Sequence, residues 1–366
     1  KTRYLRAMLI PDKTSAATLR AQYALFSGPP EQARASVTMD NVAAGRTATQ
    51  YLLGIGHRRI GFLSAYNKFL TVEQRYRGYN EALRAAGIEL DPSLNVESGP
   101  IHDDQIWDAI KEECARAAAN EPLLAGFLHA TVLSKADIEE SLSYLLASKL
   151  DNSTLPALGL RDIFQQVLDE DECVQRSIRA DLQAVVSRDP ACPGYSNPLL
   201  YFKGFHALQS YRVAHYFWVS GRESLALYLQ SRISEVFAVD IHPGARIGKG
   251  IMFDHATSVV IGETAVVEDD FSMLHEVTLG GSGKEGGDRH PKVGRGVMIG
   301  AGAKVLGNIR IGEGAKIGAG SVVLKDVPAH TTVAGVPAKV VNVPPSSLPA
   351  FDMIQTFDED AFDPCI

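Results

Sequence analysis

Two short runs in the second half of the chain combine histidine with carboxylates. They are Val239-Asp240-Ile241-His242-Pro243 and Phe253-Asp254-His255-Ala256-Thr257. An Asp that accepts the Nδ1 proton of a histidine fixes its tautomer and leaves Nε2 free as a base, which is what activating an alcohol requires. We therefore predict His255 as the general base and Asp240 as the carboxylate that orients it. Taken alone, both could be polar residues on an outward corner.

A second candidate is the glycine-rich stretch Gly280-Gly281-Ser282-Gly283-Lys284-Glu285-Gly286-Gly287-Asp288-Arg289-His290-Pro291-Lys292. An Arg-His pair at the end of a flexible loop suits a small anion such as a carboxylate, because guanidinium binds carboxylate in a bidentate manner. A solvated charged loop is the alternative for this stretch alone.

Both runs interrupt a six-residue repeat that extends from Val239 to about Val340. A small apolar residue returns at every sixth position, usually beside Gly or Ala. The two series are Ile241, Ile247, Phe253, Val259, Ala265, Phe271 and Val277, then Val293, Ile299, Val305, Ile311, Ile317 and Val323. Such a repeat is typical of a parallel β-helix, in which stacked coils bury one continuous apolar core. The six-residue register breaks between Val277 and Val293, so we expect the glycine-rich loop to project from the rod.

The region before the rod has helical spacing. Trp107, Ile110 and Cys114 recur at helical intervals, as do Leu142, Leu145, Leu146 and Leu150. We expect four segments: a partial α/β fragment at 1–97, an α-helical domain at 98–238, the β-helix at 239–343 and a flexible acidic tail at 344–366. The fold class is thus α+β overall.

Taken together, these motifs resemble the serine O-acetyltransferases, which are hexapeptide-repeat acyltransferases. The resemblance covers about residues 101–343. It includes Asp254-His255-Ala256-Thr257, Val277-Thr278-Leu279-Gly280-Gly281, Gly287-Asp288-Arg289-His290-Pro291-Lys292 and, in the helical domain, Arg188-Asp189-Pro190-Ala191. Two departures are visible: Ser258 stands where many bacterial members have Gly, and His275-Glu276 stand where many have Gln-Ser.

The resemblance implies a left-handed β-helix and a role for each matching residue. His255 corresponds to the family's general base and Asp240 to its orienting carboxylate. Asp189 and Asp254 correspond to acidic residues that hold the serine ammonium group. Arg289 and His290 correspond to the side of the site that meets the substrate carboxylate and hydroxyl. Residues lining the acetyl-CoA groove between neighbouring rods correspond to Gly281, Ala301 and Ala319.

The resemblance also implies partners. Family members form trimers that pair into hexamers through the helical domain, and L-cysteine commonly inhibits them at the serine site. Their C-terminal tail ends in Ile and inserts into cysteine synthase (O-acetylserine sulfhydrylase). This chain ends in Ile366, so the feature is present.

The first segment resembles a different family. Val37-Thr38-Met39-Asp40-Asn41, Gly56-His57-Arg58-Arg59-Ile60-Gly61-Phe62 and Arg75-Tyr76-Arg77-Gly78-Tyr79 are similar to the effector-binding domain of lactose-repressor-type regulators. The similarity covers only about sixty residues, whereas a whole effector domain is several times longer. We interpret the segment as an appended fragment that cannot close a sugar-binding cleft by itself.

Composition excludes other classes. The chain has 366 residues, 45% of them hydrophobic, and a net charge of −7, which argues against general nucleic-acid binding. No apolar run approaches the roughly 18 residues of a membrane span. The four cysteines form no CxxC pair, which argues against disulfide or zinc frameworks. The opening residues lack a secretory signal pattern, so we expect a cytoplasmic protein.

The sequence therefore predicts acetyl transfer from acetyl-CoA to the hydroxyl of L-serine, the first step of cysteine synthesis from serine, without a metal. The nearest alternative is another hexapeptide acetyltransferase that acts on a sugar or a different amino acid. A ligand-responsive regulator is the alternative from a different class. The helical domain and the loop motif argue against the first alternative, and the missing helix-turn-helix argues against the second.

Overall fold

The computed structural model describes residues 3–5, 41–64, 70–91, 94–97, 103–283, 286–344 and 346–355. It consists of two units, Lys1–His102 and Asp103–Ile366. Ile366, the last part of the predicted acidic tail and residues 37–40 of the regulator-like segment lie outside the described residues.

The described part of the first unit is a parallel sheet with helices. Strands β1 (Arg3–Leu5), β2 (Ile60–Ser64) and β3 (Asn95–Glu97) pair in that order, and the helices are α1 (Asn41–Gly54) and α2 (Leu70–Ala85). One apolar cluster is built on Leu52, Ile60, Tyr79 and Leu83. The Tyr79 hydroxyl donates to the Ile60 carbonyl at 2.8 Å. This arrangement agrees with the partial α/β fragment that the sequence predicts.

The second unit begins with the predicted helices. They are α3 (Asp103–Asn120), α4 (Pro122–Leu128), a π-helical turn (His129–Leu133), α5 (Ile138–Leu150), α6 (Ala157–Glu170), α7 (Glu172–Arg188), α8 (Ser196–Tyr201), α9 (Lys203–Val219) and α10 (Glu223–Phe237). The leucines at helical spacing in α5 are all buried, as an amphipathic helix requires. The Asp171 carboxylate accepts from Cys173 N at 2.8 Å and so caps the first turn of α7. None of the helices in the described part of the chain is long and apolar enough to cross a membrane.

A three-faced β-helix follows. The first face contains β4 (Val239–Ile241), β7 (Val259–Ile261), β10 (Thr278–Gly280), β13 (Lys304–Leu306) and β16 (Val322–Val323). The second contains β5 (Arg246–Ile247), β8 (Val266–Val267), β11 (Lys292–Val293) and β14 (Arg310–Ile311). The third contains β6 (Met252–Phe253), β9 (Ser272–Met273), β12 (Met298–Ile299), β15 (Lys316–Ile317), β17 (Thr332–Gly335) and the antiparallel β18 (Ala338–Asn342). The parallel pairing between coils agrees with the predicted left-handed β-helix.

The strand register shows where the rod departs from regular coils. Lys304 pairs with Val322, which gives a coil of 18 residues. Val239 pairs with Val259, a coil of 20 residues, and Val266 pairs with Lys292, a coil of 26. The two extra residues of the 20-residue coil fall between β6 and β7, and the eight extra residues of the 26-residue coil fall between β10 and β11. The two predicted interruptions are therefore the two insertions.

The insertions lie at different edges of the rod. Corner A joins the third face to the first and comprises residues 254–258, 274–277, 300–303 and 318–321 in successive coils. Corner B joins the first face to the second and comprises residues 242–245, 262–265 and 281–291. Residues at one corner lie above one another, about 4.8 Å apart per coil.

A buried ion pair joins the helices to the rod. The Arg212 guanidinium of α9 lies 2.7 Å from the Asp181 carboxylate of α7, and the same guanidinium donates to the Gly248 carbonyl at 2.7 Å. The second Asp181 oxygen accepts from Ile251 N at 2.9 Å. At the start of α9, a Cβ on Gly204 would lie 2.3 Å from the Phe253 carbonyl oxygen, so only glycine lets this helix approach corner A so closely.

Residues after the rod pack against it. Helix α11 (Pro349–Asp352) is short, and Ala350 within it is fully buried. The Ala350 carbonyl accepts from Ser272 Oγ at 2.9 Å, and the Phe351 ring lies 4.3 Å from the Arg188 guanidinium. The beginning of the predicted flexible tail is therefore ordered, because these apolar side chains find partners on α7 and the rod that the acidic composition alone does not suggest.

Candidate active site

The predicted base lies in the first insertion, at corner A. The His255 side chain is 74% exposed, and its Nε2 lies 3.7 Å from Asp254 Oδ1, beyond hydrogen-bond distance. His255, Ala256 and Ser258 all have φ between +56° and +60°. This conformation costs a non-glycine residue about 1–2 kcal/mol, and such strain persists where the surrounding structure fixes it. The insertion thus turns the imidazole outward from the rod.

Two carboxylates accompany His255. Asp189 follows the last residue of α7, Arg188, which is buried and donates to the Phe271 carbonyl at 3.2 Å and to Ser272 Oγ at 3.0 Å. This anchor places Asp189 at corner A. Burial raises the pKa of the Asp254 carboxyl; the neighbouring His255 opposes the rise and the Asp189 charge adds to it. Two nearby carboxylates that repel one another suit an ammonium group between them.

Arg289 and His290 lie in the second insertion, at corner B. His290 Nδ1 accepts from Thr264 N at 3.1 Å and contacts Thr264 Oγ1 at 2.8 Å, so the proton is assigned to Nε2. Arg289 Nη2 lies 2.7 Å from Glu263 Oε2. Burial lowers the pKa of His290, and the neighbouring Arg289 charge lowers it further. Corner B therefore offers a guanidinium and a neutral imidazole N–H, a combination that fits a carboxylate.

Asp240 lies with the corner B group. It is the outward residue of β4, between two buried neighbours, and its Oδ1 accepts from Gln230 Nε2 at 2.7 Å. Burial lowers the pKa of His242, and the Glu263 and Asp240 charges oppose that shift. The described residues include no hydrogen bond between Asp240 and His255. Within one chain the two are not brought together, and the orientation of His255 by Asp240 stays a prediction.

The predicted acetyl-CoA residues also divide between the corners. Ala301 and Ala319 lie at corner A, in the coils above His255, whereas Gly281 lies at corner B. Beside the alanines, Gly302 and Gly320 have φ of +73° and +67°. A Cβ on Gly320 would meet no atom within 4 Å. This part of corner A is an open column of small residues along which an extended acyl-CoA arm fits.

Sequence reasoning gave no role to three neighbours of these residues. Glu263 and Thr264 hold the Arg289 and His290 side chains, and the signal for them is their position one coil below the loop. His275 lies at corner A, and its ring meets the His255 ring edge to face with centroids 5.9 Å apart. Its signal is the 20-residue spacing from His255. Within the described residues, no group of three or more His, Cys, Asp or Glu side chains could hold a metal ion.

A hexapeptide-repeat rod with a histidine base at one corner, and a column of small residues above it, defines an acyltransferase of the hexapeptide class. Two family models match this part of the chain: "Serine acetyltransferase, N-terminal" over residues 106–210 and "Bacterial transferase hexapeptide (six repeats)" over residues 290–325. Residues 26–116 match "Periplasmic binding proteins and sugar binding domain of LacI family", which confirms the lactose-repressor resemblance.

Individual relatives narrow the class. The serine acetyltransferase of Haemophilus influenzae is 56% identical over 252 residues, which are 69% of this chain and 94% of that protein. A serine acetyltransferase structure in complex with cysteine has a TM-score of 0.68 at 56% identity, covering 70% of this chain and 99% of that one. The Brucella abortus serine acetyltransferase in complex with coenzyme A has a TM-score of 0.65 at 50% identity, covering 66% and 96%. The chain belongs to the serine acetyltransferase family.

Proposed function

We propose that this protein transfers an acetyl group from acetyl-CoA to the hydroxyl of L-serine, giving O-acetyl-L-serine and CoA. The observation that carries the proposal is the convergence of Asp189, Asp254 and His255 at corner A. An ammonium group fits between the two carboxylates, and the histidine beside them is placed to act on the hydroxyl of the same small molecule. Family membership and the coenzyme A complex of a relative support acetyl-CoA as the donor.

The chemistry follows from the exposed imidazole. His255 removes the hydroxyl proton of serine while the serine oxygen attacks the thioester carbonyl carbon. A carboxylate near the resulting imidazolium stabilises it. When the carbon–sulfur bond breaks, His255 returns the proton to the departing sulfur. The described cysteines take no part, because Cys114 and Cys192 are buried and Cys173 lies in α7, away from both corners.

We further propose that the complete site forms between copies of the chain. Corner A holds the base and the ammonium-binding carboxylates, and corner B holds Arg289, His290 and Asp240. These groups lie at different edges of one rod, so a serine molecule held by both requires corner A of one copy against corner B of the next. A closed ring of such head-to-tail contacts is a trimer, in which Asp240 of one copy would orient His255 of its neighbour.

Pairing of trimers through the helical domain has support in its surface. Large apolar residues are exposed on α4 and α6 in the single chain: Leu123 (89% exposed), Leu124 (42%), Phe127 (39%) and Leu158 (73%). Exposed apolar patches of this kind mark protein–protein contacts. We propose that a second trimer covers them, which gives a hexamer.

We propose two regulatory partners as well. L-Cysteine carries the same ammonium and carboxylate groups as L-serine, so Asp189, Asp254 and Arg289 would bind it in the substrate position and make it a competitive inhibitor. The cysteine complex of a relative supports this. The terminal Ile366 would bind cysteine synthase, and deletion of Ile366 should abolish co-purification of the two proteins.

The test is the loss of thioester absorbance in a mixture of acetyl-CoA and L-serine, with and without L-cysteine. We expect serine-dependent turnover that cysteine inhibits, and a loss of at least about two decades in rate for His255→Ala, the usual contribution of a general base. A variant at the exposed His330, on another corner of the rod, is the matched control and should keep the wild-type rate. Undiminished turnover by His255→Ala would refute the role of His255. Turnover with a sugar or another amino acid, but not with serine, would indicate the alternative acceptor.

A further inference from the structure

His275 occupies a position between the proposed base and the proposed acetyl-CoA column. It lies at corner A one coil above His255, and Ala301 lies at the same corner one coil higher. The His255 and His275 rings meet edge to face at 76° with centroids 5.9 Å apart. The His275 carbonyl accepts from Gly302 N at 2.9 Å, which fixes the backbone in this coil. A thioester that reaches down the column to His255 must pass this ring.

The two ring nitrogens of His275 have different surroundings. Nδ1 is buried and has no hydrogen-bond partner among the described residues, whereas the ring as a whole is only half-buried. Buried N–H groups without an acceptor are rarer in proteins than under-satisfied acceptors. The tautomer that leaves a lone pair on Nδ1 and a proton on Nε2 is therefore preferred, and its N–H is on the accessible side of the ring.

We propose that His275 donates a hydrogen bond from Nε2 to the carbonyl oxygen of the acetyl-CoA thioester and stabilises the oxyanion that forms there. This inference rests on the proposed function. As the bond between serine Oγ and the carbonyl carbon forms, the carbonyl π electrons move onto oxygen, and His255 takes the hydroxyl proton. When the carbon–sulfur bond breaks, the electron pair returns to restore the carbonyl and the sulfur takes the proton from His255. His275 keeps its own proton throughout.

The neighbouring charges favour a neutral donor over a second base. His255 becomes positively charged during the reaction, and a second imidazolium 5.9 Å away, centroid to centroid, would oppose that change. A neutral N–H donor fixed on the rod stabilises developing negative charge without such a cost, because it needs no reorganisation.

Two substitutions separate hydrogen-bond donation from ring packing. His275→Phe keeps a ring that can meet His255 edge to face but removes the donor. His275→Gln removes the ring but keeps an amide N–H of similar reach. We expect His275→Phe to lower kcat by about 10²–10³-fold, the usual effect of removing one oxyanion donor. We expect His275→Gln to stay within about tenfold of wild type, because it retains a donor. The KM for L-serine should change little in both.

The experiment uses the full chain, with His330→Phe as the control for introducing a phenylalanine on the rod. Thermal melting and gel filtration exclude misfolded variants. The acidic limb of the kcat/KM profile, which reports His255, should keep its position in His275→Phe. The inference is overturned if His275→Phe keeps the wild-type kcat, if His275→Gln loses as much as His275→Phe, or if the acidic limb moves. Failure of the wild-type chain to acetylate serine would instead contradict the proposed function.

Discussion

The imidazole of His290 lies directly over the α-carbon of Gly262, so that a Cβ on Gly262 would stand 2.1 Å from His290 Nε2. The two residues belong to adjacent coils at corner B, and His290 is held there by its bonds to Thr264. Glycine at 262 is thus required by the close approach of the ring, since its φ is not in the left-handed region. The position of the imidazole depends on a missing side chain in the coil below.

Gly262→Ala should therefore displace His290 and weaken serine binding. The Cβ cannot be accommodated against the ring, and the Nδ1 bonds to Thr264 hold the ring in place, so one of them must break. Loss of one hydrogen bond to a charged substrate group costs about 1.5–3 kcal/mol, which corresponds to a KM for L-serine raised roughly 10- to 100-fold. Steady-state kinetics with saturating acetyl-CoA measures it. Gly126→Ala in α4 is the control, because a Cβ there meets no atom within 4 Å. An unchanged KM in Gly262→Ala would show that His290 does not contact serine.

The rod could be predicted from sequence because each coil repeats the same physical requirement, a small apolar side chain directed inward at Val293, Ile299 or Val305. The contacts of Asp240 could not. An estimate of 18 residues per coil places Asp240 near His255, but the coil takes 20 because two residues are inserted at the corner that carries His255. The register beyond an insertion depends on backbone conformations, here the left-handed residues at 255, 256 and 258, that composition does not specify.

The partners of Arg289 and His290 were equally hidden. Their motif identifies them, but Glu263 and Thr264 become neighbours only through stacking of coils that are 26 residues long at this point. The same stacking places His275 beside His255. A six-residue repeat predicts that coils stack, whereas the length of an extruded loop decides which side chains then face one another.

Ser258 offers a stability prediction at the edge of the site. Its φ is +60°, its side chain is exposed, and its N–H donates to the Ala238 carbonyl at 2.8 Å. The left-handed conformation costs a serine about 1–2 kcal/mol, and the extra chain entropy of glycine offsets roughly 0.5–1 kcal/mol of that. Ser258→Gly should raise the thermal midpoint by a few degrees and leave kcat unchanged. Ser220→Gly, at a φ of −83°, should give no such gain. A lower midpoint for Ser258→Gly would mean that the serine hydroxyl stabilises this corner.

Asp254→Asn should stabilise the protein while removing activity. Burial raises the pKa of Asp254, so the folded protein binds this proton more readily than the unfolded chain does. The free energy of unfolding therefore falls as the pH rises through this carboxyl's titration, and at neutral pH the ionised group is a net cost. The amide avoids that cost but cannot pair with the serine ammonium group.

Melting curves at fixed protein concentration test this, with Asp288→Asn as the opposite case. There the Lys292 ammonium lowers the pKa of the exposed Asp288 carboxyl, so its removal should not raise the midpoint. We expect Asp254→Asn to have a higher midpoint at pH 7 than wild type, no such gain at a pH low enough to protonate Asp254, and a strongly raised KM for L-serine. Equal midpoints at both pH values would show that Asp254 is not destabilised by burial.

Subunit mixing tests whether the site is shared between copies. His255→Ala inactivates corner A and Arg289→Ala inactivates corner B, so each variant alone should lose most of its turnover. In mixed oligomers, some neighbouring pairs combine an intact corner A from one copy with an intact corner B from the next. With random assembly from equal amounts, about one site in four is fully intact. Co-expression of the two variants with different tags, followed by tandem purification, should thus recover on the order of a quarter of the wild-type turnover. A mixture no more active than its components would mean that both corners act within one chain, and a double variant His255→Ala/Arg289→Ala mixed with either single variant should recover nothing.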